Sequence, residues 1–361
     1  MTVAGTLSKA ELLARHVELV LVIPKAWPTY ARETPPPPQN YEKIELPVLF
    51  SGHNHLHLYL GIRGLLTKIK PDVIHIDEEP YSVVTSQIIA ASAGLKAKHI
   101  AFTWQNLYKV YPPPFSLFEK YVYKHARAII AGNSEARTIL RKKGYRGYIP
   151  IIPQFGIDSL AYTANLNNKE KLGVLPDVLA VAYVGRLVKE KGIDILLGAI
   201  AKVPGVHLYI AGSGPEEAFL ARLAGEYRIS DRVHFMGPLQ STKVAEFMAS
   251  VDVLVLPSRT RPNWKEQFGR VLIEAMASGT VVIGSNSGEI PNVIGGAGLI
   301  FREGDVNELA MHLNALRDPV TRESYIRGGY ERVKFYTQDR IVDKTLAVYK
   351  AVLDENRTPT S

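Results

Sequence analysis

The chain of 361 residues contains no cysteine. That absence removes a disulfide framework, thiolate metal sites and thiol redox chemistry, and it points to a cytosolic protein. Long hydrophobic runs are missing too: nothing approaches the roughly 18 to 20 apolar residues that cross a bilayer as a helix. The first residues lack the basic start, apolar stretch and small-residue cleavage site of a secretory signal. No Gly-x-Gly-x-x-Gly follows a strand in the setting a nicotinamide cofactor needs, which argues against a dehydrogenase.

What is present describes a globular protein. Hydrophobic residues make up 46% and charged residues 22%, and the length suits two α/β domains better than one core. The net charge of +8 is unevenly spread: residues 1–160 hold 19 Lys and Arg against 12 Asp and Glu, leaving only +1 for the remainder. Such asymmetry points to an anionic partner for the first half, either a membrane surface, a nucleic acid or an acidic substrate. A nucleic acid is disfavoured because no groove-entering or single-strand module is recognisable.

In the second half, short β-branched runs at 178–185, 206–212, 232–237, 251–258 and 280–285 end in Gly, Pro or Ser and alternate with helical periods. Strands buried on both faces with helices between them predict a parallel, doubly wound sheet. The first half repeats the theme with strands expected at 17–24, 72–77, 98–104, 126–133 and 148–153. The polar stretch 163–177 reads as the interdomain region, "TPPPP" at 34–38 as a stiff loop, and 321–354 as a long helical segment broken near "YTQD". Domains are therefore expected at 1–165 and 166–335, facing a cleft, with 336–361 a closing helical segment.

The stretch "KEQFGRVLIEAMASG" (265–279) places Glu266 just ahead of a helix and Glu274 two turns inside it. Free amides at Phe268, Gly269 and Arg270, together with the helix dipole, would attract a phosphate. An ionised Glu274 only accepts hydrogen bonds and suits a pair of vicinal hydroxyls such as those of a ribose. The plainer reading, two solvated helix glutamates, is weakened by a second stretch. "AYVGRLVKEKG" ends a strand at Gly185, then supplies Arg186 and Lys191 ahead of another helix, two cations that fit a diphosphate.

Taken in order, "GR", "KG", "AGSGP", "VHFMGPL", "VDVLVLPS" and the E-x7-E pair resemble the retaining glycosyltransferases of family 4, which have the GT-B fold. "KPDVIHID", "IAGNSEA" and "IPQFGID" extend the likeness into the first half. The resemblance implies an α/β chain of two doubly wound, Rossmann-like domains: a first that binds the acceptor and a second that binds a nucleotide-sugar, with 336–361 crossing back as a helix to the first domain and a hinge near 155–177. It implies that Arg186 and Lys191 neutralise the donor diphosphate, that Glu274 holds the ribose, and that Glu266 holds hydroxyls of the donor sugar beside the amides of Gln267, Phe268 and Gly269. Gly185, Gly212, Gly214, Arg270 and Val271 would line the donor pocket, and Pro238 and Leu239 would read the base. Retention of anomeric configuration, a hexose-type sugar from a UDP-sugar and no metal cofactor are implied as well. The chain holds no Asp-x-Asp pair, the usual metal–diphosphate clamp of the other large glycosyltransferase fold.

The sequence departs from the family in places. A histidine commonly follows the strand equivalent to "HIAFT"; here Gln105, beside Asn106, stands at that position and cannot take a proton at neutral pH. Attention shifts to Glu78 and Glu79 in "HIDEEP" as acceptor-side residues, against the plainer reading of loop carboxylates. "HNHLH" (53–57) is read as local hydrogen bonding or acceptor contact rather than a metal site. "YPPPFSLFEKYVYKHARA" mixes aromatics with Lys120, Lys124 and Arg127, which favours a cytoplasmic enzyme peripheral on the inner membrane face, acting on a glycan or lipid-linked acceptor in polysaccharide or glycolipid synthesis. "MTV" is too short for a buried strand, so the first domain is expected to lack its first strand, with weaker stability there. Two other readings stay open: a GT-B epimerase or hydrolase, and a non-catalytic or damaged donor-binding homologue.

Overall fold

The computed structural model describes residues 3–28, 40–154, 156–158 and 178–354. The stiff loop at 34–38 and the interdomain stretch at 163–177 lie outside these residues. The chain divides into two compact units, Met1–Gly156 with Gln338–Ser361, and Ile157–Thr337.

Unit 1 opens with helix α1 (Val3–Leu13) and strand β1 (Val20–Pro24), followed by β2 (Glu42–Leu46) and a short hairpin of β3 (Val48–Leu49) and β4 (Leu58–Tyr59). Then come α2 (Ile62–Ile69), β5 (Val73–Ile76), α3 (Val83–Ala91), β6 (Lys98–Thr103), α4 (Phe115–His125), β7 (Ala126–Ala131) and α5 (Ser134–Lys142). Its parallel strands fall into two separate sheets, β1-β2 and β5-β6-β7. Both sheets pack on one core, where Val22 and Leu46 meet Ile74, Ile76 and Ile129. Residues 3–13 are helical, and among the described residues no strand precedes β1. Every residue of β1 is apolar, yet each remains half-buried. A strand flanked on both sides would bury that surface.

Unit 2 alternates strand and helix: β8 (Leu179–Val184), α6 (Ile193–Lys202), β9 (Val206–Ala211), α7 (Glu217–Glu226), β10 (Val233–Gly237) and α8 (Ser241–Met248). It continues with β11 (Val253–Leu256), α9 (Arg270–Ala277), β12 (Val281–Ser285), α10 (Ile290–Ile294), β13 (Leu299–Phe301), α11 (Val306–Ala315) and α12 (Pro319–Val333). The strands form one parallel sheet in the order β10-β9-β8-β11-β12-β13. β8 and β11 are buried almost throughout, as central strands covered on both faces must be. Asp305 and Asp318 start α11 and α12 by accepting two backbone N–H bonds each, and Pro319 occupies a first-turn position where its missing N–H costs nothing.

The helical segment expected at 321–354 breaks between α12 and α13 (Gln338–Leu353). Ile341, Val348 and Val352 of α13 pack in the unit 1 core against Ile100, Phe102 and Ile130. Tyr349 Oη also bonds His75 Nδ1 at 2.8 Å. Burial holds the His75 imidazolium down at about pH 4, with Lys9 adding to the effect, so this ring bonds as a neutral group. One expected strand is corrected: 148–153 makes only isolated bridges, at Tyr148 and Ile151. Pro150 and Pro153 carry no N–H and cannot continue a ladder.

Candidate functional site

In unit 2 the chain leaves β8 toward β9 on one side and leaves β11 toward β12 on the other. Loops after the adjacent strands β8 and β11 therefore diverge and open a crevice at their carboxyl ends, where ligands of doubly wound sheets bind. Lys191 ends a single 3-10 turn after β8, and Glu266 lies between β11 and α9.

Those two side chains meet. Lys191 Nζ donates to Glu266 Oε2 at 2.6 Å, and Ser258 Oγ donates to the same oxygen at 2.9 Å. Glu266 is only 8% exposed, so the carboxylate is a buried, doubly held group and not a solvated helix residue. Lys191 Nζ also stands 4.9 Å from the centre of the Trp264 ring, a cation–π contact that fixes the ammonium. The Glu266 carbonyl accepts the Glu289 N–H at 3.2 Å, tying the loop to the segment after β12.

Helix α9 begins at Gly269, whose φ of 77° is left-handed, and no side chain caps it. The dipole at its amino end suits an anion. Glu274 Oε1 pairs with Arg270 Nε at 2.8 Å one turn back, and the Glu274 side chain is 13% exposed. Val271 is half-buried, Phe268 is buried and Gln267 is exposed on the same stretch.

Arg186 is exposed at the end of β8, and its carbonyl accepts the Tyr183 hydroxyl at 2.8 Å. Burial suppresses ionisation of that phenol; Glu266 and Glu190 add to the effect and Arg186 opposes it, so the hydroxyl sits in the field of both sides of the crevice. The loops after β8, β9 and β10 are stitched together by Gly185 N–H to Ala211 O, Gly212 N–H to Gly237 O and Leu187 N–H to Ser213 O. A Cβ on Gly212 would collide with the Gly185 carbonyl, and its φ of 151° is one side chains rarely adopt. Gly214 packs beside Leu187, and Pro238 and Leu239 follow β10, the first exposed and the second half-buried. Sequence reasoning did not single out Tyr183, Ser258 or Trp264. Ser258 closes the "VLVLPS" strand and carried a positional signal; the other two carried none.

In unit 1 the acceptor-side candidates lie at the carboxyl ends of β5 and β6. Glu79 accepts from Thr103 Oγ1 at 2.6 Å and from the Trp104 N–H at 2.8 Å, so it braces the two strand ends. Gln105 is likewise occupied: it donates to Leu107 O and accepts from Lys143 Nζ, each at 3.2 Å. Lys143 is itself held by buried Glu119 at 2.6 Å. Asn106 is buried beside them. Burial raises Glu78 to about 8, with Asp77 and Glu79 adding to it, and raises Glu79 to about 7 against its two hydrogen bonds. The histidines at 53–57 lie on the turn of the hairpin: His55 meets Ser82 Oγ, and His57 meets Asn54 O and stacks edge-on with Trp27.

Two parallel α/β units, in a chain that superposes on solved glycosyltransferases, give it the GT-B glycosyltransferase fold. The chain belongs to the family 4 glycosyltransferases: residues 165–332 match the family described as "Glycosyl transferases group 1", and residues 9–133 match "Glycosyl transferase 4-like". D-inositol 3-phosphate glycosyltransferase of Mycobacterium marinum is 32% identical over 195 residues, 51% of this chain and 41% of that protein. The chain thus matches less than half the length of that relative. Sucrose-phosphate synthase from Thermosynechococcus elongatus superposes with a TM-score of 0.72 at 22% identity, over 95% of this chain and 91% of that one. HepE of Anabaena, solved in complex with UDP, superposes with a TM-score of 0.67 at 20% identity, over 80% of this chain and 81% of that one.

Proposed function

We propose that the protein transfers a hexose-type sugar, with retention at the anomeric carbon and without a metal cofactor, from a UDP-sugar to a glycan or lipid-linked acceptor. The observation that carries the reading is the Lys191–Glu266 pair at the strand-order switch, its carboxylate buried and just ahead of the start of α9. Breaking the bond between the anomeric carbon and the diphosphate oxygen leaves negative charge on the diphosphate. Arg186, Lys191 and the α9 amides would meet that charge as fixed cationic and dipolar groups. Glu274 would accept from the ribose hydroxyls and Glu266 from hydroxyls of the sugar. On the same face, the acceptor oxygen bonds to the anomeric carbon as the leaving phosphate oxygen takes the acceptor's proton. UDP is favoured by the complex named for HepE, and an anionic acceptor by the inositol 3-phosphate in the relative's name and the basic first half. A cytoplasmic place on the inner membrane face, in polysaccharide or glycolipid synthesis, fits such an acceptor.

The test is a panel of sugar nucleotides and acceptors, run with and without a chelator, with product configuration read by proton NMR. An α-linked product from an α-linked donor, formed equally with chelator, supports the reading. Donor consumption without any acceptor would favour a hydrolase or epimerase, and binding without turnover a non-catalytic homologue.

A further inference from the structure

The segment 259–264, between β11 and α9, is tied to the loop that carries Lys191 at points on either side of that lysine. Arg259 N–H donates to Glu190 O at 2.8 Å, and Arg259 Nη2 pairs with Asp194 Oδ2 at 2.5 Å. Toward β12 and β13, Thr260 donates to Glu303 from its N–H at 2.6 Å and from its hydroxyl at 2.7 Å. Its Oγ1 also lies 3.0 Å from Ser287 Oγ. The segment closes in a tight turn: Arg261 N–H donates to Trp264 O at 2.7 Å, and Trp264 N–H to Arg261 O at 3.2 Å. Pro262, at the first central position, presets the backbone for that turn. Trp264 is thus held in register with Lys191, whose Nζ stands 4.9 Å from the centre of its ring.

Under the proposed function the Lys191 ammonium serves two anions, Glu266 and the donor diphosphate. It has three N–H donors, and one goes to Glu266 Oε2 at 2.6 Å. A second carboxylate would hold the lysine as firmly as the ring does, but it would cancel the charge that the diphosphate needs. An aromatic face attracts the cation without neutralising it and without taking a full hydrogen bond. Lacking the ring, a flexible four-carbon stem would follow Glu266 alone.

We propose that Trp264 is a positioning residue whose ring holds the Lys191 ammonium where it meets both Glu266 and the diphosphate of the donor. This rests on the proposed function, which gives Lys191 the diphosphate, and goes beyond it by assigning the residue that sets the lysine.

A double-mutant cycle on the full chain, read by calorimetric titration with UDP, tests it. Trp264→Leu should weaken UDP binding roughly 3- to 10-fold, the value of a partly desolvated cation–π contact. In a Lys191→Gln background the same change should cost less than about twofold, because the ring has no cation left to hold. Trp264→Phe should stay within about twofold of wild type, since a phenyl face also attracts the ammonium. Thermal melts check that each variant folds, and Trp264→Gln carries the cycle where Trp264→Leu does not melt cooperatively. UDP binding unchanged by loss of the ring overturns the proposal. An equal loss in both backgrounds overturns it too, because the ring would then touch the nucleotide itself or support the loop in general. A Lys191→Gln variant that binds UDP as tightly as wild type rejects the diphosphate role of Lys191, a failure of the donor reading that takes this proposal with it.

Discussion

Glu266 and Glu274 differ in what holds them, and under the proposed function that difference predicts separate roles. Glu266 is fixed by Lys191 and Ser258 inside the crevice, whereas Glu274 is paired along its own helix with Arg270. Glu274→Ala should weaken UDP binding roughly 10- to 100-fold, the value of a charge-assisted hydrogen bond. Glu266→Gln should leave UDP affinity within about threefold while cutting transfer, because a neutral amide loses the charge toward the sugar without emptying the site. Equal losses of UDP affinity in calorimetry would reject this division. In unit 1, Glu78 and Glu79 titrate at about 8 and about 7, above the usual carboxylate range. The folded state therefore keeps protons that the unfolded chain has lost. Their contribution to stability is complete below the unfolded values, near pH 4, and disappears as pH rises through about 7 to 8. Glu78→Gln should flatten the stability of unit 1 between about pH 5 and 9, removing a loss on the order of 1–3 kcal/mol. Denaturant melts at several pH values check it; a slope identical to wild type would contradict it.

At the scale of elements, the crevice of unit 2 is a set of strand ends stitched by backbone bonds, and Gly212 is where they press closest. Gly212→Ala should destabilise unit 2 by at least about 2 kcal/mol and weaken UDP binding, since both the φ and the Gly185 carbonyl oppose a side chain. Unchanged melting and unchanged affinity would show that the stitch does not shape the site. The strands of unit 2 were legible in sequence because burial on both faces leaves continuous runs such as "LAVAYV" and "VLVL". β2 was not: "EKIEL" carries three charges at a sheet edge, where solvent hides the period. Residues 148–153 looked like a strand because composition reports apolarity but not the missing proline N–H. Lys191, Glu266 and Glu274 were legible through their spacing around glycines and helix starts. Tyr183 and Trp264 were not, because a buried tyrosine on a central strand looks like core until its hydroxyl is seen to reach the Arg186 carbonyl.

At the scale of the whole molecule, two cores coexist with unequal completeness. Unit 2 has one continuous six-stranded sheet, while unit 1 divides its parallel strands between a pair and a triad. Amides of β1 and β2 should exchange with deuterium faster than those of β8 and β11, because a half-buried two-stranded pair has few neighbours to protect it. Comparable protection would mean that the division costs unit 1 nothing. The central claim, that unit 2 receives the nucleotide at the β8–β11 crevice, is tested most directly by repeating the exchange with saturating UDP. Protection should appear at 186–192, 212–214 and 267–274, the loop after β8, the glycine stitch and the start of α9. UDP bound at saturation with those three segments exchanging as in the free protein would contradict the account.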